Sequence, residues 1–236
     1  MFIPGAIAVI PARAGSRRLP EKPLVSIGGV PLVVRVLDRV RAAGLFERVV
    51  VATDDARIAG RVEAASGEVV MVTEPCASGT ERVARAVARL AVAPRYVVNV
   101  QGDEPFVAAE SLAALLEVLV AGAAIATLSA PLDPEKLHDF SSVKVVCDAR
   151  GRALYFSRAA IPGRLHLGLY GFTAEALAAV AFLPRGPLAL AEDLEQLAWL
   201  EAGWPIAVTP GQAGGPSIDT PADLAAAELY LRSKAP

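Results

Sequence analysis

Cysteine is nearly missing from this chain: Cys76 and Cys147 are the two in 236 residues. They share no metal-type spacing and allow at most one bridge, so a thiol-reduced, cytosolic protein is expected. An excess of charge of either sign is missing too. Lys and Arg number 23 against 25 Asp and Glu, a net charge of −2, and the isoelectric point is near 5.8. No bulk electrostatic pull toward nucleic acid follows. Long uninterrupted apolar runs are also lacking, despite a mean hydropathy of +0.45. The most apolar stretch, Leu112–Leu132, holds Glu117 and Gly122. It reads as an amphipathic helix followed by a buried strand, not as a membrane span of about twenty apolar residues. Met1–Gly5 carries no basic segment, so neither a signal peptide nor a transit peptide is expected, and the cytoplasm is the expected compartment. Repeats, heptads and low-complexity tracts do not occur.

What is present is a well-stocked core. Apolar residues make up 54% and charged residues 20% of the chain, which excludes intrinsic disorder. The length suits one large α/β domain or two small ones. Ala6–Ile10 is a continuous apolar run, as in a strand covered on both faces. Strand patterns at Arg48–Ala52, Val69–Val72, Tyr96–Val100 and Ala124–Ser129 alternate with helical ones at Pro31–Ala43, Ala56–Ala65, Thr80–Ala91 and Ala108–Val120. That alternation predicts βαβ units and a mixed, mainly parallel sheet flanked by helices. Beyond it, Ser142–Cys147 and Leu154–Ser157 read as a hairpin and His166–Phe172 as a further strand. Helical stretches follow near Ala174–Val180, Leu188–Glu201 and Pro221–Arg232, the last opened by Thr220 as N-cap with proline at N1.

The segment after the first strand carries Arg13, Ser16, Arg17, Arg18 and Lys22 around Gly15. Four cations, a glycine and a hydroxyl beyond the carboxyl end of a buried strand suit a polyanion such as a triphosphate. Neither a Walker A loop nor G-x-G-x-x-G is present, which argues against an NAD(P)-dependent oxidoreductase. Asp103 and Glu104 follow the fourth strand, where a carboxylate beside glycine suits Mg²⁺ bridging phosphate oxygens. An Asp-Glu-Pro turn serves equally well as the cap of the next helix. Asp219, in Ser217–Pro221, faces the same choice. Thr53-Asp54-Asp55 reads as a helix cap. Ser78-Gly79-Thr80 opens the third helix, either as a plain N-cap or as free N–H groups facing a ligand. His166 and Tyr170 share one strand face by their even spacing.

In these same residues the chain resembles the 3-deoxy-manno-octulosonate (Kdo) cytidylyltransferases. The stretches that carry the resemblance are PARAGSRRLPEKPL (11–24), VATDD (51–55), SGTER (78–82), VVNVQGDEP (97–105), VKVVCDARGRALYFSRAAIP (143–162), HLGLYGF (166–172), EDLEQLAWLEAG (192–203) and SIDTPADL (217–224). The resemblance implies a nucleotide-diphospho-sugar transferase fold, glycosyltransferase-A-like and Rossmann-like, and a homodimer. One nucleotidyltransferase domain over 1–236 is implied, with 1–130 mainly for the nucleotide, 131–215 for sugar and dimer, and 216–236 returning a metal ligand. It further implies that Arg13, Ser16, Arg18 and Lys22 bind the triphosphate, with Ala12, Ser78, Gly79 and Gln101 around cytosine and ribose. Lys22, Asp103, Arg13 and Arg18 are the implied catalytic set, and Asp103 and Asp219 the implied Mg²⁺ ligands. Arg158, His166, Tyr170, Glu192, Glu195 and Gln196 are implied to line the acid-sugar pocket.

The expected reaction joins CTP and Kdo to give CMP-Kdo and diphosphate, for lipopolysaccharide-type polysaccharide synthesis, with no nucleic-acid partner and no membrane span. The sequence departs from the family twice. Gly15 and Ser16 lean toward the related CMP-sialate synthetases, and only Gly163-Arg164-Leu165 separates Pro162 from His166 where the family carries a longer loop. The alternatives are therefore a cytidylyltransferase for a sialate-type acid sugar and, outside enzymes, a nucleotide-binding module lacking metal carboxylates.

Overall fold

The computed structural model describes residues 2–16 and 18–234; Arg17, one of the four loop cations above, lies outside the described residues. Strand β1 (Ala6–Ala12) shows why the apolar runs became strands. Its alternate side chains enter two different cores: Ala6, Ala8 and Ile10 on one face, Ile7 and Val9 on the other. A residue run buried on both sides needs no polar alternation, because helices cover both faces of a parallel sheet.

The following elements are, in order, β2 (Ser26–Ile27), β3 (Val30–Pro31), α1 (Leu32–Ala42), β4 (Arg48–Thr53), α2 (Ala56–Ala64), β5 (Glu68–Met71), α3 (Gly79–Val87), β6 (Tyr96–Asn99), α4 (Ala109–Val120) and β7 (Ile125–Ala130). The second half supplies β8 (Lys144–Cys147), β9 (Ala153–Ser157), β10 (Arg164–Thr173), α5 (Ala174–Val180), α6 (Pro187–Glu192), α7 (Glu195–Glu201), β11 (Ile206–Pro210) and α8 (Pro221–Lys234). Among the described residues the main sheet has nine strands, ordered β11-β7-β10-β6-β1-β4-β5, with β8 pairing β10 and β9. Pairs β1/β4, β1/β6, β4/β5 and β7/β11 are parallel, and β10 runs antiparallel between β6 and β7. The sheet is therefore mixed and mainly parallel, as the alternation predicts. Residues of α1, α2, α4 and α8 fill one core, and those of α3, α5, α6 and α7 the other. The apolar stretch 112–132 divides into α4 and β7, and among the described residues no helix is long and apolar enough to cross a membrane.

Several elements differ from the sequence reading. The expected helical stretch Leu188–Glu201 is two helices, broken where Asp193 adopts a left-handed conformation (φ 52°) and Leu194 is extended. Strand β11 was not expected. It is a short edge strand ending in Pro210, and proline is tolerated there because an edge leaves one side of the ladder unpaired. The third helix stops at Val87 instead of Ala91. Strand β10 begins at Arg164, since Arg164 and Leu165 already pair with Val145 and Lys144 of β8. The short connection is tight at Gly163, where a Cβ would lie 2.7 Å from the Val145 carbonyl oxygen. The Asp-Glu-Pro turn does not cap α4, whose N-cap is Ala108 without a side-chain bond. Thr220 does cap α8: its Oγ1 accepts from Asp223 N at 3.3 Å while Asp223 Oδ2 accepts from Thr220 N at 2.8 Å. This reciprocal box frees Asp219 from capping duty.

Candidate active site

The parallel strands end on one edge of the sheet, which is where open α/β sheets collect ligands. A cavity of about 960 Å³ lies there, bounded by the loop after β1, the segment after β6 and the start of α3. Gly102 allows this closeness, because a Cβ on it would sit 2.7 Å from the Pro11 carbonyl oxygen. Ala12, Arg13, Ser16, Arg18, Lys22, Ser78, Gly79 and Gln101 all line the cavity. The α3 terminus is a capping box: Ser78 Oγ accepts from Glu81 N at 3.1 Å, and Glu81 Oε2 accepts from Ala77 N at 2.7 Å. The N-cap reading of Ser78 is what the structure shows, and Ser78 and Gly79 also line the cavity.

Two carboxylates far apart in sequence meet at the cavity floor. Lys22 Nζ donates to Asp103 Oδ2 at 2.7 Å and to Asp219 Oδ1 at 2.9 Å. Arg18 pairs with the other Asp219 oxygen at 3.0 Å. Burial alone would lower the Lys22 pKa, but Asp103 and Asp219 outweigh it and hold the ammonium above its ordinary value. Glu104 stands behind them, pushed up to about 8 by burial and then by the charges of Asp103 and Asp219. One ammonium touching both carboxylates means that one cation can bridge them. Among the described residues no group of three or more His, Cys, Asp or Glu forms a metal cage. Two carboxylates with the remaining oxygens left to phosphate and water is the donor set that Mg²⁺ takes in nucleotide sites. The residues present fit that ion.

A second cavity of about 310 Å³ adjoins the first, sharing Gln101, Asp103, Arg158 and Asp219 with it. His166, Tyr170, Glu195 and Gln196 line it. Because β10 runs against its neighbours, its first residues lie beside the ends of β7, with His166 opposite Ser129. The even-spacing argument holds through a bulge of two residues, and the His166 and Tyr170 rings lie 5.4 Å apart. Arg158 is braced by neutral partners: Nε donates to Glu192 O and Nη1 to Phe140 O, each at 3.1 Å. Among the described residues no carboxylate hydrogen-bonds the guanidinium itself, although the Glu192 carboxylate interacts with its charge. Glu192 lines neither cavity; its carboxylate accepts from Ser157 Oγ at 2.6 Å and Arg158 N at 2.8 Å, anchoring Arg158 from behind.

The sequence reading did not single out Lys144 or Asn99, nor the link that Thr80 makes to Glu195. Lys144 is fully buried, and its Nζ donates to the carbonyls of Asp139, Ser142 and Arg158 at 2.9, 2.9 and 3.0 Å. Thr80 Oγ1 accepts from Asn99 Nδ2 at 3.3 Å and donates to Glu195 Oε1 at 2.9 Å, linking the two cavity walls. Burial raises the Glu195 pKa against the hydrogen bonds from Ser78 and Thr80. The detectable signal was a polar residue, Asn99 or Lys144, inside an otherwise apolar strand.

Desolvation depresses the His166 pKa from 6.5 to about 3. Between those values the unfolded chain binds a proton that the folded chain does not, so this residue's contribution falls as pH drops below about 6.5. Urea unfolding at pH 7.5 and pH 5 should show wild type losing about 1–2 kcal/mol more than His166→Gln over that interval. Equal losses would mean that His166 is free to protonate in the fold.

The cytidylyltransferase family model matches residues 7–206. A 3-deoxy-manno-octulosonate cytidylyltransferase of Anaeromyxobacter sp. (strain Fw109-5) is 46% identical over 94% of this chain and 95% of its own length. One of that description from Methylococcus capsulatus is 44% identical over 97% of each chain. Among solved structures, a CMP:2-keto-3-deoxy-manno-octonic acid synthetase complexed with CTP superposes with a TM-score of 0.91 at 34% identity, over 98% of this chain and 99% of that one. A 4-diphosphocytidyl-2C-methyl-D-erythritol synthase from Anaerococcus prevotii, at 15% identity and a TM-score of 0.67 over 96% of this chain and 98% of its own, shares the fold alone. By sequence over nearly its whole length, and by the nucleotidyltransferase fold built around these paired cavities, the chain belongs to the 3-deoxy-manno-octulosonate cytidylyltransferases.

Proposed function

We propose that the protein transfers CMP from CTP to Kdo, releasing diphosphate, with the nucleotide in the larger cavity and the acid sugar in the smaller one. The observation that carries this reading is the shared wall: Asp103, Asp219 and Arg158 face both cavities. Nucleotidyl transfer needs an attacking hydroxyl and an α-phosphorus to meet at one point. The anomeric hydroxyl of the sugar attacks the α-phosphorus and passes its proton to the Asp103 carboxylate, which lines both cavities, while the oxygen linking the α- and β-phosphates departs with diphosphate. Arg13, Arg18 and Lys22 offset the triphosphate charge, with Lys22 steadying the departing diphosphate. Asp103 and Asp219 would hold Mg²⁺, which supplies charge neutralisation at the phosphates when bound. Arg158 pairs with the sugar carboxylate through its planar fork. The family's homodimer and a cytoplasmic setting complete the reading; its product feeds lipopolysaccharide-type polysaccharide synthesis.

Diphosphate release measured with CTP, UTP, ATP and GTP against a panel of acid sugars tests the proposal. Turnover is expected with CTP and Kdo, and purine nucleotides should be poor if Ala12, Ser78, Gly79 and Gln101, which line the larger cavity, frame a pyrimidine edge. Equal turnover with ATP would refute the nucleotide assignment. Use of a sialate-type sugar in place of Kdo would move the sugar assignment, leaving the nucleotide half intact.

Arg158→Lys tests the sugar side. A point ammonium cannot reproduce a bidentate guanidinium–carboxylate contact. The expected loss is about 1.5–3 kcal/mol, roughly ten- to a hundredfold in kcat/KM for the sugar, with the CTP KM little changed. Steady-state kinetics with varied sugar give the answer. An unchanged value would remove Arg158 from the sugar site.

A further inference from the structure

Thr127 lies in the middle of β7 and is fully buried. Its Oγ1 has three polar neighbours: Leu169 O at 2.7 Å, Leu167 O at 3.4 Å and His166 Nε2 at 2.9 Å. The two carbonyls reach it because β10 bulges between Leu167 and Tyr170. A hydroxyl has one proton to give, and carbonyl oxygens only accept. That proton goes to Leu169 O, the nearest acceptor. The lone pair facing the imidazole can then only accept, so His166 Nε2 must carry a hydrogen.

The other ring nitrogen follows from this. A neutral imidazole protonated at Nε2 has a bare Nδ1, which is an acceptor and not a donor. Among the described residues the one buried side-chain polar atom without a partner is Glu74 Oε2. Among the described residues His166 Nδ1 has no hydrogen-bond partner and is not a buried unpaired atom, so it opens toward the cavity that His166 lines. Phe156, edge-on at 5.0 Å between centroids, and Tyr170 at 5.4 Å hold the ring in place. Burial keeps the ring uncharged through the neutral range.

We infer that Thr127 is a positioning residue for the sugar cavity: through its hydrogen bond to Nε2 it fixes His166 as an acceptor, so that His166 Nδ1 takes a hydroxyl hydrogen of the substrate. The division of labour in the cavity is then chemical. Arg158 offers donors to a carboxylate, and His166 offers an acceptor that a carboxylate or carbonyl oxygen cannot use. The sugar half of this inference rests on the proposed function; the tautomer half does not.

The chain has two histidines, His138 and His166, so a His138→Gln background leaves one imidazole to observe. Long-range proton–nitrogen correlation spectra of the nitrogen-15-labelled, ligand-free protein at pH 7 should show His166 protonated at Nε2 and bare at Nδ1. Thr127→Val should admit the opposite tautomer and raise the sugar KM roughly five- to tenfold, as for one lost hydrogen bond, leaving the CTP KM within about twofold. Thr127→Ser should restore both readings, which a general packing defect would not allow. A wild-type ring protonated at Nδ1 or at both nitrogens would overturn the inference. So would a Thr127→Val protein that keeps the wild-type tautomer or the wild-type sugar KM. If the wild type fails to use Kdo, the proposed function falls, and the spectra of wild type, Thr127→Val and Thr127→Ser still decide the tautomer assignment.

Discussion

Asp103→Asn should leave the fold intact and lower turnover by roughly 10²–10³-fold, the usual scale for losing one preorganised electrostatic contact at a reacting phosphate. An amide is a poor ligand for Mg²⁺, and its oxygen can accept a hydrogen bond from an ammonium but cannot form an ion pair with it. Asp103 accepts from Lys22 and lines both cavities, so under the proposed function its charge would serve metal, lysine and substrate at one point. The control is Asp219→Asn. Since Thr220 and Asp223 cap α8 between them, that substitution should also cost turnover without lowering the melting temperature. Diphosphate release at saturating CTP, Mg²⁺ and sugar, alongside thermal melts, separates the cases. Near-normal turnover in Asp103→Asn would remove it from the metal site. A melting defect alone in Asp219→Asn would return that residue to a helix-capping role.

Lys22→Met should cost a comparable 10²–10³-fold in kcat/KM for CTP, because the departing diphosphate loses a cation held next to the two carboxylates. Methionine matches the apolar stem of lysine, so packing at this mostly buried position (16% of the side chain exposed) changes little. The electrostatic loss has two parts: the phosphates lose a partner, and Asp103 and Asp219 face each other without the ammonium between them. The experiment is a CTP titration at saturating sugar, with circular dichroism as a check on folding. A variant with wild-type kcat/KM would show that Arg13 and Arg18 neutralise the triphosphate unaided.

The first half of the fold was legible because its physics is local. Runs such as Ala6–Ile10 and Arg48–Ala52 are apolar without alternation, which only a strand covered on both faces explains, and each is followed by a periodic helix. The second half hid more. Strand β11 is five residues at a sheet edge between prolines, and nothing in so short a run distinguishes it from a loop. The break between α6 and α7 depends on the left-handed backbone of Asp193, a conformation that leaves no mark on hydrophobic periodicity. The site was legible unevenly. The basic loop and Asp103 sit at strand ends, where position alone suggests a ligand. That Asp103 and Asp219 share one ammonium is a product of topology, since α8 returns across the sheet edge, and only the resemblance pointed to it. Thr127, Asn99 and Lys144 carried a subtler signal: polar side chains inside apolar strands must find partners, and theirs lie in or behind the walls of the smaller cavity.

The most direct measurement uses Kdo carrying oxygen-18 at the anomeric position, incubated with CTP and Mg²⁺, with mass spectrometry of the sugar nucleotide and the diphosphate. If the anomeric hydroxyl attacks the α-phosphorus across the shared wall of the two cavities, CMP-Kdo should form with the label in the bond joining sugar to phosphate, and the diphosphate should be unlabelled. Consumption of CTP without a labelled sugar nucleotide, or label appearing in diphosphate, would contradict the account.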